Sequence, residues 1–379
     1  MSQKRRITQA KKPTRVKGHN PVKPYFIVVS ILVLFGLVML SSASSIQGFR
    51  EYNDTYFFFK RQIYFGVIPG IIIGYILYKI PYRIWMQYRF GLLVLTIALL
   101  VMPLISFFSA GIGSANSWVS LGGITFQPSE IAKLTFLIWF SAWLSIREEK
   151  VIKSIGGGLV PFLFYIAMVL SLIILQPDFG TMTIFAFIAL IMFFIGGARL
   201  THLIWLGGLS VLLFGVLIAA APYRINRFLT FLNPGADPQG AGYHILQAQL
   251  AVGSGGLLGQ GFGNSIQKFS YLPEVIGDSI FAIIAEELGF IASAGLIMLL
   301  SFLMIKGLKL AQENKDQFAK LIVVGIISWW TVQSFINIAA MLSLAPLTGI
   351  PLPFISQGGT ALMTELAAFG LLANIIKNS

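Results

Sequence analysis

The chain has 379 residues, 56% of them hydrophobic and 11% charged, with a mean hydropathy of +0.81. That composition excludes a water-soluble globular protein, in which about a quarter of residues are charged. The lack of cysteine excludes disulfides, thiolate metal sites, iron–sulfur clusters and cysteine nucleophiles, and the formal charge of +13 is concentrated in particular segments.

Residues 1–24 carry Lys4, Arg5, Arg6, Lys11, Lys12, Arg15, Lys17 and Lys23 with no acidic residue, and an apolar run begins directly after them. This pattern predicts a basic cytoplasmic tail before a signal anchor, held inside and drawn to anionic lipid rather than to nucleic acid. Apolar stretches of membrane length follow at 25–44, 63–80, 89–107, 130–146, 157–175, 181–198, 202–221, 279–305, 318–345 and 361–376. The expected class is therefore an all-α, polytopic integral membrane protein of about ten transmembrane helices. It comprises a single membrane domain, 25–379, with both termini cytoplasmic.

The charges support that orientation. The tail, Lys79, Arg83, Arg89, Arg147, Lys150, Lys153, Arg199, Lys306, Lys309, Lys315, Lys320 and Lys377 fall inside, whereas Arg50, Lys60, Arg61, Arg224, Arg227 and Lys268 fall outside. Two outer loops are too long to be simple connectors: 108–129, and 222–278 between the seventh and eighth spans. The second keeps Phe228, Phe231, Tyr243, Leu250 and Tyr271, which predicts an ordered loop packed on the outer face. Residues 345–359 are apolar but broken by proline and glycine, as in backbone that dips into the membrane where it faces protein or water.

Ionisable groups in or beside spans are costly in hydrocarbon and stand out as functional candidates. Glu130 and Lys133, three residues apart, share a helix face; they form either a structural ion pair or an electrostatic wall for a polar substrate. Asp178 lies in a Pro/Gly turn suited to capping the next helix. Glu286, Glu287 and Glu365 must face protein, a loop or a cavity. Asp278 opens the eighth span as either a helix cap or a reactive carboxylate, at the foot of the loop bearing Arg224, Arg227 and Lys268. A carboxylate that takes a proton beside cations that hold phosphate suits a transferase acting on a lipid pyrophosphate. Gly253-Ser-Gly-Gly-Leu-Leu-Gly-Gln-Gly-Phe-Gly263 follows no strand and lacks a Gly-Lys-Ser/Thr ending, so it reads as close packing rather than a nucleotide site. His19, His202 and His244 share no metal-ligand spacing. A transporter would use Glu286, Glu365 and Asp178 for ion coupling, but the richest polar constellation lies at the outer surface, which favours an enzyme.

Several motifs occur in order: Gly36-Leu-Val-Met-Leu-Ser-Ser-Ala-Ser44, Gln127-Pro-Ser-Glu-Ile-Ala-Lys133, Gln176-Pro-Asp-Phe-Gly-Thr181 and Arg227-Phe-Leu-Thr-Phe-Leu-Asn-Pro234. They are joined by Gly253-Ser-Gly-Gly256, Gly259-Gln-Gly261, Tyr271-Leu-Pro-Glu274, Asp278 with Glu286-Glu-Leu-Gly289, and Pro351-Leu-Pro-Phe-Ile-Ser-Gln-Gly-Gly359. Together they resemble the SEDS family of bacterial membrane proteins, the FtsW, RodA and SpoVE group, over nearly the whole chain after the tail. The resemblance implies a peptidoglycan glycosyltransferase of the bacterial cytoplasmic membrane. Such an enzyme polymerises lipid II, an undecaprenyl-pyrophosphate-linked disaccharide peptide, on the outer membrane face.

By position, the family's essential aspartate falls on Asp278, its fourth-span pair on Glu130 and Lys133, and its basic loop positions on Arg224 and Arg227. Asp278 is then expected as general base, with Arg224, Arg227, Lys268 and Lys133 around the pyrophosphate. Glu130 and Asp278 are the candidate ligands of a divalent cation, Mg²⁺ or Mn²⁺. The implied partners are a class B penicillin-binding transpeptidase and divisome regulators. The basic tail, the Ser-Ala-Ser end of the first span and Leu232-Asn-Pro-Gly-Ala-Asp-Pro238 are most similar to the FtsW division branch, with RodA-type elongation the alternative. The sequence departs from the family in having Ile276-Gly277 where His-Thr is usual before the aspartate, and Ser356-Gln-Gly-Gly359 where Ser-Tyr-Gly-Gly is usual.

Overall fold

The computed structural model describes residues 21–107, 117–219 and 222–378, without the side chains of residues 124, 214, 217–219, 222–224, 227 and 228. Most of the basic tail and part of the 108–129 loop lie outside the described residues. All ten expected spans are helical: α1 (Lys23–Ala43), α3 (Phe57–Lys79), α4 (Arg89–Leu104), α5 (Pro128–Ser145) and α6 (Ile155–Ile174), then α7 (Phe179–Ile195), α8 (Leu200–Ala219), α11 (Ile280–Glu313), α12 (Gln317–Met341) and α13 (Gly359–Asn378). Among the described residues six of these, α1, α3, α6, α11, α12 and α13, are long and apolar enough to cross a membrane, while α4, α7 and α8 carry shorter apolar stretches. Short helices α2 (Ser45–Tyr52), α9 (Pro222–Leu232) and α10 (Tyr243–Ser254) lie between spans, α9 and α10 within the long loop.

Local chemistry sets where the spans begin. Proline at the first turn opens α1 and α5, where its missing N–H is no loss. Asp178 caps α7 by accepting from Thr181 N at 2.9 Å, so the turn chemistry read from the sequence holds. Asp316 caps α12 by accepting from Phe318 N at 3.0 Å. The strands β1 (Val119–Leu121) and β2 (Ile124–Phe126) form an antiparallel hairpin with Val119 opposite Phe126. Its two-residue turn is Gly122-Gly123, both at positive φ.

An apolar helix buried on every side belongs in the centre of the bundle. α5 is buried from Pro128 to Leu144 except at Ile131, and the most apolar windows of α12 and α13 are 78% and 83% buried, against 28% for α3, α6 and α11. α5, α12 and α13 therefore form the centre. α3 crosses α13 at small residues: a Cβ on Gly370 would lie 2.0 Å from the Gly74 carbonyl oxygen, so the backbones touch directly.

Between α12 and α13 the chain is non-helical, its second half (350–358) is mostly buried, and side chains satisfy the backbone there. Leu352 N donates to Ser356 Oγ (2.7 Å), Phe354 N to Glu365 Oε2 (2.7 Å) and Gly358 N to Gln62 Oε1 (3.0 Å). Glu365 thus faces protein and holds this broken segment in place. Buried backbone without such partners is strongly disfavoured, which is why polar Gln62 and Glu365 sit inside apolar helices.

Candidate active site at the head of the eighth span

Asp278 sits in the turn that leads into α11 and is half-buried. The turn is closed by Gly277 N and Ser279 N, which donate to Glu274 O at 3.0 and 3.2 Å. Neighbouring elements fix its backbone. Asn337 Nδ2 on α12 donates to Asp278 O (2.7 Å) and to Ile350 O (2.8 Å), and Gln357 N in the broken segment donates to Ile276 O (2.8 Å). The N-cap of α11 is Ser279 rather than Asp278, and its side chain makes no capping bond. The Ser279 hydroxyl instead lies 2.8 Å from Pro273 O, 3.4 Å from Asp278 Oδ1 and 2.7 Å from His244 Nε2. A carboxylate with a pinned main chain and a partly exposed side chain suits proton transfer, because its position costs no reorganisation when a substrate arrives.

One turn below Asn337, Gln333 joins the same face of α12 to the Glu130–Lys133 pair. Lys133 Nζ is 2.8 Å from Glu130 Oε1, 2.9 Å from Gln333 Oε1 and 4.8 Å from the centre of the Trp329 ring. Trp329 Nε1 also donates to Gln333 Oε1, and Gln333 Nε2 donates to Pro351 O. Glu130 and Lys133 are each 2% exposed. They form a buried ion pair, linked through Gln333 to α12, the helix whose Asn337 holds the Asp278 carbonyl.

Lys268, expected among the residues facing substrate, is turned inward. Its ammonium donates to Glu287 Oε1 (2.9 Å), Ser42 Oγ (3.0 Å) and Gly263 O (2.6 Å), using all three donors, and Ser42 Oγ donates to Glu287 Oε1 (2.7 Å). The physical reason is Glu287, a carboxylate wholly buried near the head of α11 that requires a counter-charge. Glu286 beside it accepts from Ser265 Oγ and from Ile266 N (2.9 Å). These two acids clamp the loop onto α11.

The glycine run completes the clamp by close packing. Gln260 N and Gly261 N donate to Glu286 O and Glu287 O, while Phe290 N and Ile291 N donate to Gly256 O and Leu257 O. α11 thereby exchanges part of its own ladder for the loop, at Gly289 (φ 76°, ψ −173°).

The structure brings Asp278, Glu130 and Lys133 to one side of α12 and sends Lys268 to the clamp. Arg224 and Arg227 fall on α9, but their side chains lie outside the described residues. Of the two residues expected around a divalent cation, Glu130 is paired with Lys133 through Oε1 while Asp278 lies in the turn at the head of α11, and no group of three or more metal-ligating side chains occurs among the described residues. Asn337, Gln333, Ser279 and His244 are not legible in the sequence as site residues, since they come from elements far apart in the chain and match no motif read from it.

Comparison with known proteins places the chain in a family. The model of the FtsW, RodA and SpoVE family, described as cell cycle protein, matches residues 23–379. Stage V sporulation protein E of Bacillus subtilis strain 168 is 39% identical, with the alignment covering 96% of this chain and 99% of that protein. A probable peptidoglycan glycosyltransferase FtsW of Trichlorobacter lovleyi is 33% identical over 96% of this chain and 95% of its own. Among solved structures, a chain from a study of the structural coordination of polymerization and crosslinking by a peptidoglycan synthase complex superposes with a TM-score of 0.78 at 25% identity, covering 94% of this chain and 97% of that one. The rod shape determining protein RodA of Thermus thermophilus superposes with a TM-score of 0.69 at 25% identity, over 94% and 96%. With the family model spanning the chain from its first membrane helix onward, and relatives matching almost end to end, this multi-pass membrane protein belongs to the FtsW/RodA/SpoVE family.

Proposed function

We propose that this chain is a peptidoglycan glycosyltransferase that polymerises lipid II, with Asp278 as general base. The observation that carries the reading is the Asp278 turn, pinned by α12 and the broken segment at the end of the bundle expected to face outward. It is supported by relatives named as probable peptidoglycan glycosyltransferases. In the reaction an acceptor sugar hydroxyl attacks the anomeric carbon of the lipid-linked donor. The new carbon–oxygen bond forms as the bond to phosphate breaks, the hydroxyl proton passes to Asp278, and lipid pyrophosphate leaves. Arg224 and Arg227, on the helix that opens the long loop, supply the positive charge for the departing pyrophosphate. Glu130 and Lys133 hold α12 and through Asn337 the Asp278 carbonyl.

Both termini are cytoplasmic in this reading, which puts Asp278 on the outer face of the bacterial cytoplasmic membrane, where the flipped substrate lies. FtsW-named relatives support a role in septal wall synthesis during division. The synthase-complex neighbour supports pairing with a class B penicillin-binding transpeptidase, so that strands are cross-linked as they form. Divisome regulators complete the set of partners. The test is to purify the protein with such a partner and incubate it with labelled lipid II in detergent. Glycan strands resolved by gel are expected from the native protein and none from Asp278→Ala; transport of lipid II in vesicles without polymerisation would instead make the chain a flippase.

A further inference from the structure

The polar contacts of Ser279 fix more than the turn. Its hydroxyl has one hydrogen and stands within reach of three groups: Pro273 O at 2.8 Å, Asp278 Oδ1 at 3.4 Å and His244 Nε2 at 2.7 Å. The Pro273 carbonyl can only accept, and at 2.8 Å it takes the Ser279 proton. The short contact to His244 then requires that Nε2 carry a hydrogen and donate to a lone pair of Ser279 Oγ. The neutral Nε2–H tautomer and the imidazolium both meet this requirement. Ser279 is fully buried, so water does not substitute for either partner.

Two features mark this contact as more than incidental packing. A serine at a helix N-cap ordinarily accepts from the backbone of the first turn. Here Ser279 is the N-cap of α11 yet makes no capping bond, its hydroxyl being given to the turn and to His244. The contact also spans the long loop: His244 is the second residue of α10, and Ser279 directly follows Asp278. Asn337 and Gln357 hold the turn from the membrane side, and His244 holds it from the loop side.

We propose that His244 is a positioning residue for the reaction: through Ser279 it locks the Asp278 turn in register with the loop that carries α9 and α10. The inference rests on Asp278 being the base. His244 does not carry the substrate proton; it supplies one N–H donor at a fixed place. Glutamine, whose side-chain amide offers an N–H at similar reach, is therefore the conservative replacement.

The test compares lipid II polymerisation by purified native protein, His244→Ala, His244→Gln, Ser279→Ala, the His244→Ala/Ser279→Ala double variant and Asp278→Asn, each first shown to be monodisperse and thermally intact in detergent. His244→Ala is expected to lower kcat roughly 10- to 100-fold, the range for a misplaced reacting group. His244→Gln should restore most of that loss, and the double variant should be no slower than Ser279→Ala alone, since the two residues act as one link. Native-like turnover by folded His244→Ala, or a His244→Gln variant as slow as His244→Ala, overturns the positioning role. Additive losses in the double variant overturn it as well. The Asp278→Asn arm separates the two levels: polymer from that variant defeats the general-base reading itself, whereas its inactivity alongside native-like His244→Ala defeats only the inference about His244.

Discussion

At the scale of single residues, the pairing of Glu130 with Lys133 is legible from their spacing of three, but its surroundings are not. Gln333 and Trp329 lie some two hundred positions away and reach the pair only through the packing of α12 on α5. Lys268 reads as facing substrate because it is basic and in an outer loop; what the sequence hides is that Glu287 is buried against it. The same limit conceals His244 and the shift of the cap from Asp278 to Ser279. The buried pair also makes a definite prediction. Lys133→Met leaves the Glu130 carboxylate uncompensated and should cost about 3–5 kcal/mol, whereas Glu130→Leu/Lys133→Met, which removes both charges, should recover most of it. Thermal unfolding in detergent reads the difference; a double variant less stable than Lys133→Met contradicts a charge-compensation origin.

At the scale of elements, the ten spans are readable because an unbroken apolar run of membrane length rarely occurs outside a membrane helix. What escapes is irregular or short. The β1–β2 hairpin carries its own signal in Leu121-Gly-Gly-Ile124, but each strand is only three residues long. The apolar run predicts an eighth span ending at 305, yet α11 continues to Glu313, because Lys306, Lys309 and Glu313 prolong the helix without needing lipid around them. Gly289 looks in the sequence like one more glycine in an apolar span. It is the point where the loop inserts, and a Cβ there would lie 2.3 Å from Gly259 N. Gly289→Ala should therefore destabilise the protein by at least about 1–3 kcal/mol through its positive φ alone. It should also expose residues 255–268 to protease and abolish polymerisation. An alanine variant with native stability and an intact loop contradicts the clamp.

At the scale of the whole molecule, the positive-inside pattern of the sequence predicts that the basic loops after α3 and α11 share one side of the membrane. A polar latch joins those loops at that end of the bundle: Tyr82 donates its hydroxyl to Asp316 Oδ2 at 2.7 Å, and Arg83 lies 3.3 Å from the same oxygen. Partial burial pushes the Asp316 carboxyl up, but the bonds from Tyr82, Phe318 N and Arg83 outweigh it and hold the group below its usual range. A depressed folded pKa stabilises the fold above the unfolded value and is lost as pH falls through the folded one. The stability difference between native protein and Asp316→Asn should thus be constant from about pH 8 to 5 and shrink below about pH 4; a gap that widens on acidification contradicts the latch. The central claim, that a pinned carboxylate at the opposite end performs the chemistry, is tested most directly by the turnover of Asp278→Asn on lipid II, with the variant's folding verified by its melting temperature. Loss of a general base lowers the rate by about 10²–10⁴-fold, so the account predicts a folded protein with polymerisation reduced by that factor. Near-native polymerisation by Asp278→Asn would contradict it.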